Sequence, residues 1–135
     1  MKRFEEVMAE RFGKDSLIAL ATVGDGTPHV RTVNAVYRDG AFYCVTYALS
    51  GKMKQIAACP VVAVCGEWFT GHGRGENLGH ILAPENEQTA EMLRRAFASW
   101  YGNGHVNEQD EHTCILRITL TDGVLMAQGE RLLYP

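Results

Sequence analysis

Two short stretches of this 135-residue chain carry the residue types that hold an anion. The first is the extended run His29 to Arg38. A period of two sets His29, Arg31, Val33, Ala35 and Tyr37 on one face and Val30, Thr32, Asn34, Val36 and Arg38 on the other. A guanidinium in mid-strand beside Val33 and Ala35 is costly to bury unpaired, so something anionic or wet must meet it. An internal Asp or Glu, a solvated barrel face or a bound ligand each meets that need. The second stretch is Ser50-Gly51-Lys52, at the start of a short helix, where free backbone N–H groups and the helix dipole favour an anion. Gly51 admits close approach to the main chain. Ser50 offers a hydroxyl, and Lys52 and Lys54 offer positive charge. Read alone, the stretch is equally an ordinary serine cap with solvated lysines. Joined to Arg31, it describes a phosphate site built from a strand and a helix start. It is not a P-loop, because Met53 follows Gly51-Lys52 and no glycine precedes at the required distance.

Other chemistry-bearing residues form no comparable set. The stretch Gly71-His72-Gly73-Arg74-Gly75-Glu76-Asn77-Leu78-Gly79 misses G-x-G-x-x-G, since Glu76 and Leu78 stand where the third glycine belongs. It reads as a rim loop bringing His72, Arg74 or Asn77 over a ligand, or as a bulged barrel strand. The five histidines show neither H-E-x-x-H nor a tight Cys/His cluster, so no metal site is expected. The four cysteines contain no C-x-x-C and read as buried, reduced thiols. Asp110-Glu111 and Glu85-Asn86-Glu87 read as solvated ends. No catalytic acid–base pair is assigned.

The elements that position these residues follow from periodicity. Phe4, Val7, Met8 and Phe12 mark an amphipathic helix over 2–12, stopped near Gly13. Strands are expected at 17–23, 29–38 and 41–47, joined by turns at 24–28 and Asp39-Gly40. Ser50 caps a helix over 51–59 that ends before Pro60. Strand character returns from Val61 to Thr70, and His80 to Leu82 finishes another strand. Pro84 opens a helix with Ala90, Leu93, Phe97 and Trp100 on one face, ended by Gly102-Asn103-Gly104. His112 to Thr121 alternates, Asp122-Gly123 reads as a turn, and Val124 to Arg131 runs back. The whole predicts one mainly β domain over 1–135, with about seven strands, short helices and a closed or partly closed antiparallel barrel.

Composition narrows the partners. The chain is 46% hydrophobic and 21% charged, as packed globular proteins are. Its net charge of −3 argues against nucleic acid. No apolar run reaches the ~20 residues of a membrane span. The charged start Met1-Lys2-Arg3-Phe4-Glu5-Glu6 lacks a signal-peptide core, so a cytoplasmic location is expected.

The order Arg31-Thr32-Val33, Phe42-Tyr43, Ser50-Gly51-Lys52-Met53-Lys54-Gln55-Ile56 and Cys59-Pro60-Val61-Val62-Ala63-Val64 resembles the pyridoxamine 5′-phosphate oxidase-like split barrels. The likeness is clear over 15–70 and looser beyond. It implies a Greek-key-like split barrel that binds FMN. Arg31, Ser50, Gly51, Lys52 and Lys54 would lie at the phosphate, and Thr32, Val33, Asn34, Thr46 and Tyr47 along the isoalloxazine ring. It also implies a homodimer with flavin at the interface, where Trp68 covers the partner's flavin or serves as a core or interface aromatic. The expected activity is a flavin-dependent oxidoreduction of a small-molecule substrate or electron donor. The alternative is a non-catalytic protein that binds a flavin, haem or a deazaflavin. Val36 or Tyr37 stands where the vitamin B6 oxidases carry a further lysine, and Leu132-Leu133-Tyr134-Pro135 replaces their basic and histidine segment. The resemblance therefore assigns a cofactor and no substrate.

Overall fold

The computed structural model describes residues 2–135. Its strands are β1 (Ser16–Gly24), β2 (Thr27–Arg38), β3 (Ala41–Tyr47), β4 (Val61–Gly66), β5 (Phe69–His80), β6 (Thr113–Ala127) and β7 (Glu130–Leu133). The helices are α1 (Lys2–Phe12), α2 (Gly51–Ala58), α3 (Glu87–Ala96) and α4 (Ala98–Tyr101), with a 3-10 turn at Pro84–Asn86 before α3. All strand pairs are antiparallel, in the order β3-β2-β1-β4-β5-β6-β7. β3 also pairs with β6, from Ala41↔Thr119 to Tyr47↔Thr113, so six strands close a barrel and β7 extends its wall. Because β1, β2 and β3 are hairpin-connected and β4 returns beside β1, the chain follows a Greek key.

Alternation separates inside from outside. On β1, Ile18, Leu20 and Thr22 are buried, whereas Leu17 is 65% exposed. The helix α1 plugs one end of the barrel because Phe4, Met8 and Phe12 recur every four residues and reach the interior. Phe12 packs on Phe42 and Phe69 with ring centroids 5.7 and 5.8 Å apart. A second core lies outside the wall, where Ala90, Leu93 and Phe97 cover Val36, Ile81 and Ile115. Three hairpins share one turn chemistry: Asp25-Gly26, Asp39-Gly40 and Gln128-Gly129 all have positive φ at both residues. Such turns match the right-handed strand twist, and glycine adopts their second position without strain.

Two hairpins differ from the sequence expectation. Strand character does not continue to Thr70, because Glu67 and Trp68 form a turn and β5 begins at Phe69. The stretch 71–79 is therefore strand and not a rim loop. Gly71, Gly73 and Gly75 face inward. A Cβ there would stand 2.7 Å from Asp122 O, 2.7 Å from Thr119 O and 2.9 Å from Ile56 Cγ2, respectively. The glycines let β6 and α2 press against bare backbone. Likewise Asp122-Gly123 is not a turn but part of the long strand β6. His72 opposes Asp122 while Gly73 opposes Leu120, leaving Thr121 as the extra residue of a bulge.

Candidate functional site

β2 and β3 pair at only three positions: Val36↔Tyr43, Tyr37↔Phe42 and Arg38↔Ala41. Beyond these the strands part, β2 staying with β1 and β3 with β6. The split opens as a cleft of about 150 Å³ lined by Val33, Asn34, Cys44, Val45, Thr46, Lys52 and Trp100.

Arg31 lies on the inner face of β2 near this split. Its Nη1 donates to Thr22 Oγ1 at 2.7 Å and to Leu20 O at 3.2 Å, and its Nη2 to Gln55 Oε1 at 3.5 Å. The Thr22 hydroxyl donates in turn to Gln55 Oε1 at 2.5 Å. These neutral acceptors aim the guanidinium without cancelling its charge. Among the described residues, no acid forms an ion pair with Arg31 or Lys52. An internal salt bridge, one of the readings open to Arg31 in the sequence, is thereby removed. Burial depresses the pKa of Lys52, the Cys44 thiol raises it, and the charge of Arg31 lowers it further. Burial also lowers that of Arg31 and pushes the Cys44 thiol up to about 12. Two half-buried cations thus share one region without a counter-ion, which is the electrostatic condition for binding an anion.

The helix α2 adds its N-terminus. Ser50 is the N-cap, and its Oγ accepts from Met53 N at 3.4 Å. Gly51 has no internal reason to be glycine. A Cβ there would meet nothing within 4 Å, and its φ is not positive. Open space beside free N–H groups fits the close approach of a phosphate.

The expected residues divide by location. Arg31, Val33, Asn34, Thr46, Ser50, Gly51 and Lys52 gather about the split and the start of α2. Thr32 opposes Ala19 with its side chain exposed on the outer sheet face, so only its backbone follows the seam. Tyr47 packs edge-on against His112 at 5.8 Å and lines a neighbouring hollow. Lys54 borders a separate hollow with His29 and Gln55, away from Lys52. Trp68 is 73% exposed at the β4–β5 turn, near the α1 end of the barrel and apart from its own cleft. Of the cysteines, Cys44 and Cys114 are buried, but Cys65 is exposed on the outer face of β4. His72 pairs with Asp122 at 3.0 Å, and His80 Nε2–H donates to Glu108 O and Asp110 O at 3.0 and 3.1 Å. Among the described residues, no three His, Cys, Asp or Glu side chains stand together to hold a metal.

Sequence reasoning missed the residues that support the site. Thr22 and Gln55 hold Arg31; the available signals were a lone hydroxyl in an apolar strand and an amide one helical turn after Lys52. Asp15 ties the outer rim, accepting from Asn34 Nδ2 at 3.0 Å and from Trp100 Nε1 at 2.9 Å. Nothing local in the sequence links residues 15, 34 and 100.

The fold and the cleft define a split β-barrel with a half-buried lysine in its seam and an arginine beside it. A family model described as pyridoxamine 5′-phosphate oxidase matches residues 4–126, and the chain belongs to that family. Among solved structures, General Stress Protein 26 from Bacillus anthracis is similar at a TM-score of 0.74 and 16% identity, covering 98% of this chain and 99% of that one. A FAD-binding protein from Mesorhizobium loti gives 0.69 and 16%, over 87% and 90%. An F420 reductase gives 0.62 and 17%, over 85% and 94%. At these identities the likeness shows the fold. No curated protein matches. Among the described residues, no helix is long and apolar enough to cross a membrane.

Proposed function

We propose that the split between β2 and β3 binds FMN and that the protein is a flavin-dependent oxidoreductase acting on a small molecule. The observation carrying this reading is the pair Arg31 and Lys52, near enough that the charge of Arg31 lowers the pKa of Lys52, with no acid among the described residues paired to either. Arg31, Ser50, Gly51 and Lys52 would hold the phosphate, and Val33, Asn34 and Thr46 would flank the ring. The bound flavin would supply hydride or electron transfer, while the chain binds and orients it. This division of labour suits a site without an acid–base pair.

A second copy of the chain completes the site in this reading. The cleft of about 150 Å³ is too small to enclose a flavin ring, since small-molecule pockets span about 300–1,000 Å³. The outer sheet face is apolar and open: Leu17, Val30 and Val61 are 65%, 71% and 51% exposed. Ala21 opposes both Val30 and Ala63, so these side chains form one continuous patch. A twofold contact over this patch would give each flavin a second wall. In such a dimer, Trp68 would be available to the partner's cofactor.

The test is the absorption spectrum and mass of whatever co-purifies, followed by titration of the apo-protein with FMN. A flavin band and saturable uptake are expected. A colourless protein that takes up no FMN overturns the reading.

A further inference from the structure

Beside the cleft lies a second hollow of about 320 Å³ under the loop that joins α4 to β6. It shares Val45 and Thr46 with the cleft, so its contents would abut whatever occupies the split. Val45, Tyr47 and Val106 give it apolar walls, while His105, Asn107 and Asp110 give it a polar side. Its volume sits at the lower end of the ~300–1,000 Å³ range for small-molecule pockets, which suits a single ring.

The covering loop is tied to the barrel and to α3 and α4 by hydrogen bonds. His80 Nε2–H donates to two of its carbonyls, Glu108 O and Asp110 O. The Thr113 hydroxyl donates to Asn107 O at 2.6 Å. Glu108 accepts from Arg94 Nε at 2.8 Å and Nη2 at 3.2 Å, and from the Tyr101 hydroxyl at 2.5 Å. This spends the charge of Arg94, the cation bound to the loop. Among the described residues, no lysine or arginine lines the hollow. Asp110 is oriented by its turn, with Oδ1 accepting from His112 N at 2.9 Å, and it leaves a carboxylate charge on the hollow's polar side.

We propose that this hollow is the substrate site and that it takes a single-ring compound bearing a cationic or neutral hydrogen-bond donor, and not a phosphate ester or carboxylate. An anionic substrate would meet the Asp110 carboxylate with no lysine or arginine in the lining to offset it. A donor such as an ammonium or an N–H would receive a charge-assisted hydrogen bond. The role as substrate site rests on the FMN reading; the binding preference rests on the hollow alone.

The test uses three probes of one shape, benzylamine, benzyl alcohol and benzoate, titrated calorimetrically into the full chain with and without FMN. Benzylamine is expected to bind more tightly than benzyl alcohol, and benzoate not at all. Asp110→Asn keeps the oxygen that accepts from His112 N but removes the charge. It should abolish the preference for the amine, a loss of about tenfold or more. Val106→Trp should fill the hollow and remove binding of all three probes. Benzoate binding as well as benzylamine, or a preference unchanged in Asp110→Asn, overturns the proposal. If the protein takes up no FMN yet shows the Asp110-dependent preference, the FMN reading fails and the binding preference stands. If FMN binds but no probe does, the reverse holds.

Discussion

The charge of Arg31 and the charge of Lys52 matter more than their number, because each is held by neutral or thiol neighbours. Replacing either by Ala should weaken FMN binding by about tenfold to a hundredfold, the worth of a lost charge-assisted hydrogen bond. Riboflavin, which lacks the phosphate, should lose far less; equal losses in parallel titrations would contradict a phosphate role. The depressed pKa of Lys52 adds a pH signature with two opposite signs. Its charged form is disfavoured in the folded apo-protein, so the unfolded state binds the proton more tightly. Apo stability should therefore rise with pH from the lowered folded value up to the ordinary 10.5. Over the same window FMN affinity should fall, since the ammonium that would meet the phosphate is being lost. Thermal melts and FMN titrations compared with Lys52→Met, which has neither trend from this residue, check both signs. Arg31 and the Ser50-Gly51-Lys52 turn were legible in the sequence because strand period and helix capping are local. Thr22, Gln55 and Asp15 were not, because their partners are 9 to 85 positions away.

Elements follow the same divide between local and distant causes. The helix α1, the first three strands and the capped helix α2 stand within a few residues of where periodicity puts them. The sequence also indicates seven strands, but its fourth to seventh are bounded differently from those of the barrel. Glycine and Asp-Gly mark turns in isolated sequence, whereas here they mark close packing across the barrel. Gly73 shows the difference: a Cβ would lie 2.7 Å from Thr119 O and 2.9 Å from Ile118 Cγ2, so backbone would have to move. Gly73→Ala should destabilise the protein by about 1–3 kcal/mol, as overpacking does. Gly51→Ala meets only open space and should change stability by less than about 0.5 kcal/mol. If Gly51 exists for the phosphate, that same substitution should weaken FMN binding. Denaturant melts beside FMN titrations test whether the first glycine serves the barrel and the second its proposed ligand. A Gly51→Ala protein that binds FMN normally would leave that glycine without a role.

At the scale of the whole molecule, the outer sheet face is the feature that a single chain does not explain. Surface strands in a monomer alternate apolar-in and polar-out, yet here Leu17, Ala19, Ala21 and Val23 all point outward on β1. Their neighbours across the sheet include Val30, Ala63 and Cys65, with Thr32 and Asn34 as the polar positions opposite Ala19 and Leu17. A groove of about 610 Å³ runs over this face to Leu133 and Tyr134. Val30 is the sharpest probe because it is 71% exposed in the protomer. An exposed side chain can become polar with less than about 0.5 kcal/mol of change in the fold itself. Val30→Asp should therefore leave a monomer intact but place two like charges in the proposed twofold contact, splitting the proposed dimer. Light scattering should move from twice the protomer mass to one. FMN affinity should fall with it, because each cleft of about 150 Å³ would lose its second wall. Wild-type protein that is monomeric with FMN tightly bound would remove the twofold arrangement. A monomeric Val30→Asp variant with undiminished FMN affinity would keep the dimer but detach it from the cofactor. The substitution thus reads assembly and cofactor binding separately at one residue.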